Sequence, residues 1–267
     1  MAKKIVSDEL WEIVEPLLPP EKPKPRGGRP PISNRAALTG ILFVLKAGIS
    51  WDMLPQEMGC GSGVTCWRRL RDWHEAGVWQ RLHQVLLEHL RGADRLDWDR
   101  ACMDSASIKA KKRGAATGPN PTDRGRPGTK RHLLTDRFGT PLAVRLTGAN
   151  THDSVLLEDL LDAVHPVAGR RGRPRQRPRK LHADKAYDAR RCRRACRTRH
   201  IRPRIARRGI EDGQRLGRHR WVVERTFAWV EQMRRLATRY ERRADIHEAF
   251  TLLGCSMICF KRLMRAF

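Results

Sequence analysis

The chain has 267 residues, 40% of them hydrophobic, which is enough apolar mass to close a domain-sized core and excludes a disordered polycation. Its 55 Lys and Arg against 29 Asp and Glu leave a formal net charge of +26; such a surface attracts phosphate polyanions, so nucleic acid is the expected partner and a small-molecule substrate is not. The uncharged stretch from Ala36 to Leu45 stops short of the roughly 18 apolar residues a membrane span needs, and Asp8 and Glu9 stand where a signal peptide would be apolar, so a cytoplasmic, nucleoid-associated protein without a membrane partner is expected.

Ser7 or Asp8 caps a first helix over residues 7–18, with Leu10, Trp11, Val14, Leu17 and Leu18 at helical spacing and Pro19 and Pro20 at its end. Residues 21–31, dense in Pro, Gly and basic side chains, read as an exposed basic arm. Ser33 caps an apolar helix to Ala47, closed by Gly48. A short helical segment over 51–58 and a glycine turn over 59–63 then lead into a helix over 64–74. That order fits a helix-turn-helix, whose second helix would enter the major groove. Arg68, Arg69 and Arg71 are its expected DNA contacts, with Trp67 and Trp73 as core anchors, and residues 1–97 are the expected DNA-binding domain.

From about Trp98 the pattern turns to strands. Residues 99–108 alternate, and 130–135 and 141–146 flank Asp136-Arg-Phe-Gly139 as a hairpin. Asp153 or Ser154 caps a helix to 164. A basic loop over 169–180, a strand over 180–184, a helix over 187–199 and a short strand over 201–205 follow, and long helices over 216–240 and 246–264 close the chain. This succession predicts an α/β fold for residues 98–267, a mixed sheet with helices on its faces. The cysteines, seven in number, include the helically spaced pairs Cys192/Cys196 and Cys255/Cys259 and predict core packing rather than disulfides.

Three acids stand among apolar neighbours: Asp104, Asp184 and Glu224. A charge so placed is costly unless paired or bound to a cation. Asp104 on the first strand and Asp184 at the carboxyl end of a parallel neighbour would meet at the sheet's crevice, with Glu224 added from a helix. Such hard oxygen ligands suit Mg²⁺ or Mn²⁺, and two ions about 3.5–4 Å apart serve phosphoryl transfer. Among competing acids, Asp153 reads as a helix N-cap, Asp188 as orienting a ligand or an Arg, and Glu231 as the substitute for Glu224. Lys109, Lys111 and Lys112, leaving the first strand, and Lys130 are placed for phosphate contact. The arginines of the 169–180 loop read equally as solvated or as touching a DNA backbone.

The segments Met103-Asp-Ser-Ala-Ser-Ile-Lys109, Ala149-Asn-Thr-His-Asp153, Ala183-Asp-Lys-Ala-Tyr-Asp188 and Arg218-His-Arg-Trp-Val-Val-Glu-Arg-Thr-Phe-Ala-Trp229, with the run from Gly118 to His132 and the start Ser7-Asp-Glu-Leu-Trp11, closely resemble bacterial insertion-sequence transposases of family five. The resemblance spans nearly the whole chain. It implies a ribonuclease H-like catalytic domain with a DDE metal site, Asp104, Asp184 and Glu224 standing at the matching positions. The implied reaction is metal-assisted cleavage at the element's ends, followed by attack of the exposed 3′-OH on target DNA. Double-stranded DNA is the implied partner, and a homo-oligomer on DNA the implied assembly. Related transposases carry a tyrosine and a basic residue where this chain has Gly217 and Glu231, while Arg220, an expected DNA contact, is kept; a terminal-phosphate role therefore falls to Arg225, Arg234 or Arg235. Two other readings compete: a transposase-derived DNA-binding protein without catalysis, and a recombinase using Ser105 or Tyr187 as covalent nucleophile.

Overall fold

The computed structural model describes residues 4–20, 31–209 and 213–264, with only the backbone for 213–220. Apart from Pro31, the expected basic arm lies outside the described residues. Four helices come first: α1 (Asp8–Val14), α2 (Asn34–Ala47), α3 (Gly63–Glu75) and α4 (Val78–Gly92). Ser7, Ser33 and Ser62 cap the first three by accepting the N–H groups of Leu10, Ala36 and Thr65, donors that the helix itself leaves unpaired. The short helix expected before the glycine turn is two 3-10 turns, Trp51–Met53 and Gln56–Met58. Gly63 interlocks this segment with α3, because a Cβ there would lie 1.7 Å from the Trp51 carbonyl oxygen. Helix α4 adds to the elements read from the sequence; it buries Val78, Leu82, Leu86 and Leu90 along one stripe.

The sheet comprises β1 (Arg100–Lys109), β2 (Gly118–Pro119), β3 (Pro127–Asp136), β4 (Pro141–Gly148), β5 (Lys180–Ala183) and β6 (Arg202–Ile205). Its order is β2-β3-β1-β5-β6, with β4 on the free side of β3. The β1, β3 and β4 strands form an antiparallel meander, and β5 and β6 continue it in parallel. Helices α5 (Leu157–Asp162), α6 (Arg190–Thr198), α7 (Gly213–Glu231), α8 (Arg234–Ala237) and α9 (Ala244–Met264) complete the chain. This is the mixed α/β arrangement expected, a sheet with flanking helices. Side chains alternate between the faces of β1 and β3. Arg131, on the face that carries Asp104, meets Glu231 of α7, while Ser105, on the other face, meets Asp153 in the turn before α5.

One continuous buried cluster runs from Val6 to Cys259, and α9 packs against both α3 and α4. Trp51 stacks on Phe250 of α9 with ring centroids 5.6 Å apart. The change of pattern near residue 98 is thus a change of secondary structure inside a shared core. The helix expected over 216–240 stops at Glu231. Beyond α8 the chain is drawn to the end of β1, where the Arg239 N–H donates to the Lys109 carbonyl at 2.9 Å and the Lys111 N–H to the Arg239 carbonyl at 2.8 Å. The buried Arg239 guanidinium donates to Thr129 Oγ1 and to the Ala116 and Glu241 carbonyls. All seven cysteines are free and buried. Among the described residues no helix is long and apolar enough to cross a membrane.

Candidate active site

The parallel ladder pairs β1 with β5 as far as Cys102 opposite His182, and Asp104 and Asp184 each stand two residues beyond that last pair, Asp184 just past the end of β5. Their carboxylates are anchored locally: Asp104 Oδ1 accepts the Ser105 N–H at 2.8 Å, and Asp184 Oδ1 accepts the Ala186 N–H at 2.9 Å, capping the 3-10 turn Lys185–Tyr187. The Tyr187 side chain is fully buried, and its hydroxyl has no partner among the described residues. Burial, then the negative charges of Asp104, Asp153 and Asp184, push that hydroxyl well above its usual range. Hard oxygen donors concentrated beside an unsatisfied buried hydroxyl fit a divalent cation.

Glu224 sits on α7, which buries Val222, Val223, Thr226, Phe227 and Val230 and lies across β1, β3 and β5. Its own side chain is exposed. Among the described residues no group of three or more His, Cys, Asp or Glu is close enough to hold a metal ion. Of the three expected acids, Asp104 lies in β1 and Asp184 just past the neighbouring β5, and Glu224 stands exposed on α7.

The competing acids all have other partners. The N-cap before Val155 is His152, whose Nδ1 accepts the Ser154 N–H, and this corrects the capping role expected of Asp153. The Asp153 carboxylate instead accepts from Ser105 Oγ and from Lys130 Nζ, each at 2.8 Å. Burial would raise the Asp153 carboxyl, but those two bonds outweigh it and hold the group below its usual range. Lys130, expected at phosphate, is mostly buried and also donates to the Thr151 carbonyl at 2.7 Å. Asp188 holds Arg193 at 2.8 Å and the Arg208 N–H at 3.0 Å. Glu231 lies 3.5 Å from Arg131, a buried guanidinium whose Nε and Nη1 lack partners among the described residues and whose pKa burial pulls down to about 10 against the pull of Glu231. Glu231 is thus the counter-charge of Arg131.

The basic candidates divide in the same way. Arg68 is exposed on α3 and Arg69 partly so, while Arg71 lies 2.6 Å from Asp72 and 3.8 Å from Glu75. Lys109, Lys111 and Lys112 are exposed at the end of β1, with Lys109 3.9 Å from Asp123. Arg234 is exposed. Arg225 donates to the Phe138 carbonyl at 2.7 Å between the rings of Trp221 and Trp229, and the buried Arg235 is bound to Glu241 at 2.7 Å and to the Ile49 carbonyl. These two arginines fasten α7 and α8, so a DNA role expected of them passes to exposed neighbours. The Arg220 side chain lies outside the described residues. Neither covalent nucleophile is presented to a substrate, since Tyr187 is buried and Ser105 Oγ is committed to Asp153.

Asp104 in β1 and Asp184 just past the end of β5 are thus carried by two neighbouring strands at the centre of a mixed sheet. Residues 99–259 match the family model described as "Transposase DDE domain", and residues 6–83 the model described as "Putative transposase of IS4/5 family". The chain belongs to the DDE transposase family, and its function is that of an insertion-sequence transposase. It is 59% identical over 150 residues to the "Putative transposase for insertion sequence element IS402" of Burkholderia cepacia, covering 56% of this chain and 71% of that one. A second relative from the same organism, "Insertion element IS402 uncharacterized 16.2 kDa protein", is 63% identical over 123 residues, covering 45% and 84%. The crystal structure of the catalytic domain of Mos1 mariner transposase aligns with a TM-score of 0.28 at 12% identity, covering 71% of this chain and 93% of that one. DDE transposase domains depend on divalent metal.

Proposed function

We propose that this transposase cleaves DNA at the ends of its element and joins the freed 3′-OH to target DNA, using Asp104, Asp184 and Glu224. What supports this reading is that Asp104 and Asp184 each follow by two residues the Cys102–His182 pair of the β1–β5 ladder. The three carboxylates would hold two Mg²⁺ or Mn²⁺ ions, and bound metal supplies activation of the attacking oxygen and charge stabilisation of the leaving one. Asp104 and Asp184 are spaced by the backbone ladder of β1 and β5, and Ser105 and Asp153 brace β1 from the opposite face. Glu224 joins from α7 once DNA and cation are bound.

Duplex DNA, from both element and target, is the partner that the net charge favours. In this division of labour residues 1–97 recognise element ends, with Arg68 and Arg69 of α3 reading base edges in a helix-turn-helix-like mode. Residues 98–267 perform the chemistry, and Lys109, Lys111, Lys112 and Arg234 grip the backbone. The protein acts as a homo-oligomer on DNA, associated with the nucleoid.

The test is Asp104→Asn, which keeps shape but removes the charge that holds the cation. Mg²⁺-dependent nicking of an element-end duplex should fall by orders of magnitude while binding of that duplex, followed by fluorescence anisotropy, is retained. Undiminished nicking by the variant would refute the assignment. A wild-type chain that binds element ends but never nicks them would favour the catalytically silent alternative.

A further inference from the structure

At the end of the sheet where β1 and β5 begin, a cleft of about 570 Å³ opens between α4 and the loop that precedes β5. Five arginines line it, Arg91, Arg170, Arg171, Arg175 and Arg179, together with Asp94, Asp97 and Asp99. The site is held in shape. Arg91, buried on α4, donates to the Val167 and Arg173 carbonyls; Val167 and Arg175 exchange two backbone hydrogen bonds of 2.7 and 2.9 Å, and the Arg179 N–H donates to the Trp98 carbonyl at 2.7 Å. Two of the five are matched by acids, Arg170 by Asp94 and Arg179 by Asp99. Arg171 and Arg175 make no ion pair among the described residues, although like charge crowds them: burial, then Arg175 and Arg170, depress the pKa of Arg91. Five guanidinium groups against three carboxylates leave an excess of positive charge that calls for an anion from outside.

The shape of the array says which anion. Arg171, Arg173, Arg175, Arg177 and Arg179 recur at every second residue, all exposed, with Pro174 and Pro178 between them. Such a row suits a repeating polyanion better than a single phosphate. Asp104 and Asp184 lie four to five residues further along the strands that start at this cleft, about 13–16 Å away at about 3.3 Å per residue.

We propose that this cleft binds the phosphodiester backbone of DNA, at a place removed from the scissile phosphate and without regard to sequence. The proposal rests on duplex DNA being the substrate, as argued above. Because it concerns binding alone, it can be tested without cation, where no strand is cut.

The full chain and an Arg171→Ala/Arg175→Ala variant are titrated with a random-sequence duplex across a salt series in EDTA. A control, Arg194→Ala/Arg197→Ala, removes the same charge from exposed positions on α6. The slope of log affinity against log salt should flatten by about 0.9 for each cleft arginine that meets a phosphate, and by less in the control. Equal flattening in both variants, or none in the cleft variant, would overturn the proposal, because the arginines would then act only through overall charge. In a second arm, inorganic phosphate at constant ionic strength competes with the duplex. Displacement that is strong for wild type and lost in the cleft variant would assign the cleft to free phosphate and overturn it too; weak displacement supports DNA. If wild type binds no duplex at all, the functional reading and this one fall together. If it binds with the predicted slopes but Asp104→Asn still nicks DNA, only the catalytic assignment falls.

Discussion

The Ser105 hydroxyl donates to the Asp153 carboxylate at 2.8 Å, so the residue that follows Asp104 on β1 is tied to the turn that leads into α5. The same carboxylate carries Lys130 of β3. One acid thus joins two neighbouring strands and a turn on the face of the sheet turned away from the candidate site, and the backbone that presents Asp104 is braced from behind.

Asp153→Asn keeps an acceptor for Ser105 but leaves the Lys130 ammonium with the Thr151 carbonyl alone. Removing one partner of a fully buried pair costs about 3–5 kcal/mol; with Asp153 and Lys130 side chains 19% and 14% exposed, about 2 kcal/mol of unfolding free energy should be lost. Adding Lys130→Met should restore more than half of it. An unchanged urea midpoint in the single variant would show that the bridge holds nothing.

Glu224 and Glu231 should separate cleanly. Glu224→Gln, at an exposed position, should leave stability within about 0.5 kcal/mol of wild type while abolishing metal-dependent nicking. Glu231→Gln takes the counter-charge from the buried Arg131 guanidinium. Because Glu231 is itself half exposed, a loss of about 1–2 kcal/mol is expected, with nicking preserved at a temperature where the variant is folded. The reverse pattern would make Glu231 the third ligand.

Stability should fall with acid above the carboxylate range. His83 on α4 lies 2.9 Å from the Pro141 carbonyl, and His132 on β3 lies 2.8 Å from Thr147 Oγ1; burial pulls each imidazole down to about 4. Both folded values lie below the unfolded value near 6.5. Protonation therefore favours the unfolded chain: stability is full above about pH 6.5 and drains away as pH falls toward 4, by roughly 3 kcal/mol for each histidine. Urea unfolding at pH 7.5 and pH 5, compared between wild type and His83→Gln, should show a shallower pH dependence in the variant. Parallel curves would remove His83 from the account.

Thiol chemistry should report global unfolding. All seven cysteines are buried, and burial raises the thiols of Cys60, Cys192 and Cys259, with Cys66 reaching about 11 and Cys196 and Cys255 about 12. Scarce thiolate and no access make them inert in the folded chain. Labelling by a chromogenic disulfide at pH 8 should be negligible natively and reach all seven in denaturant. A thiol that labels rapidly in native buffer would reveal a local opening.

The parts of the molecule legible in the sequence are those governed by local chemistry. Ser33 and Gly48 bracket α2 as a serine cap and a left-handed glycine do, and Asp136 to Gly139 turns the β3–β4 hairpin through N–H bonds to the Asp136 carboxylate. The pairing of the Asp104 strand with the strand that ends before Asp184 was readable because a parallel strand presents its carboxyl end to the same crevice. What escaped depends on distant partners. Nothing around Asp153 announces Lys130 and Ser105 as its contacts, and the local pattern favours a cap that His152 supplies instead. Helical periodicity continues past Glu231, yet the chain leaves it because Arg239 is claimed by strand β1. Arg225 and Arg235 read as exposed cations until the rings and carbonyls that enclose them are known.

Helix α4 finds its cover in α9, which begins at Ala244, about 150 residues further along the chain. At the roughly 5–20 residues per second of synthesis, the apolar stripe of Leu82, Leu86 and Leu90 waits on the order of 10–30 s for its partner. During that interval the helices proposed to recognise DNA already exist as chain, but the α9 surface that covers α4 does not. Newly made protein therefore becomes competent in a single late event, and any slowing of translation between the two helices lengthens the time in which it is prone to aggregate.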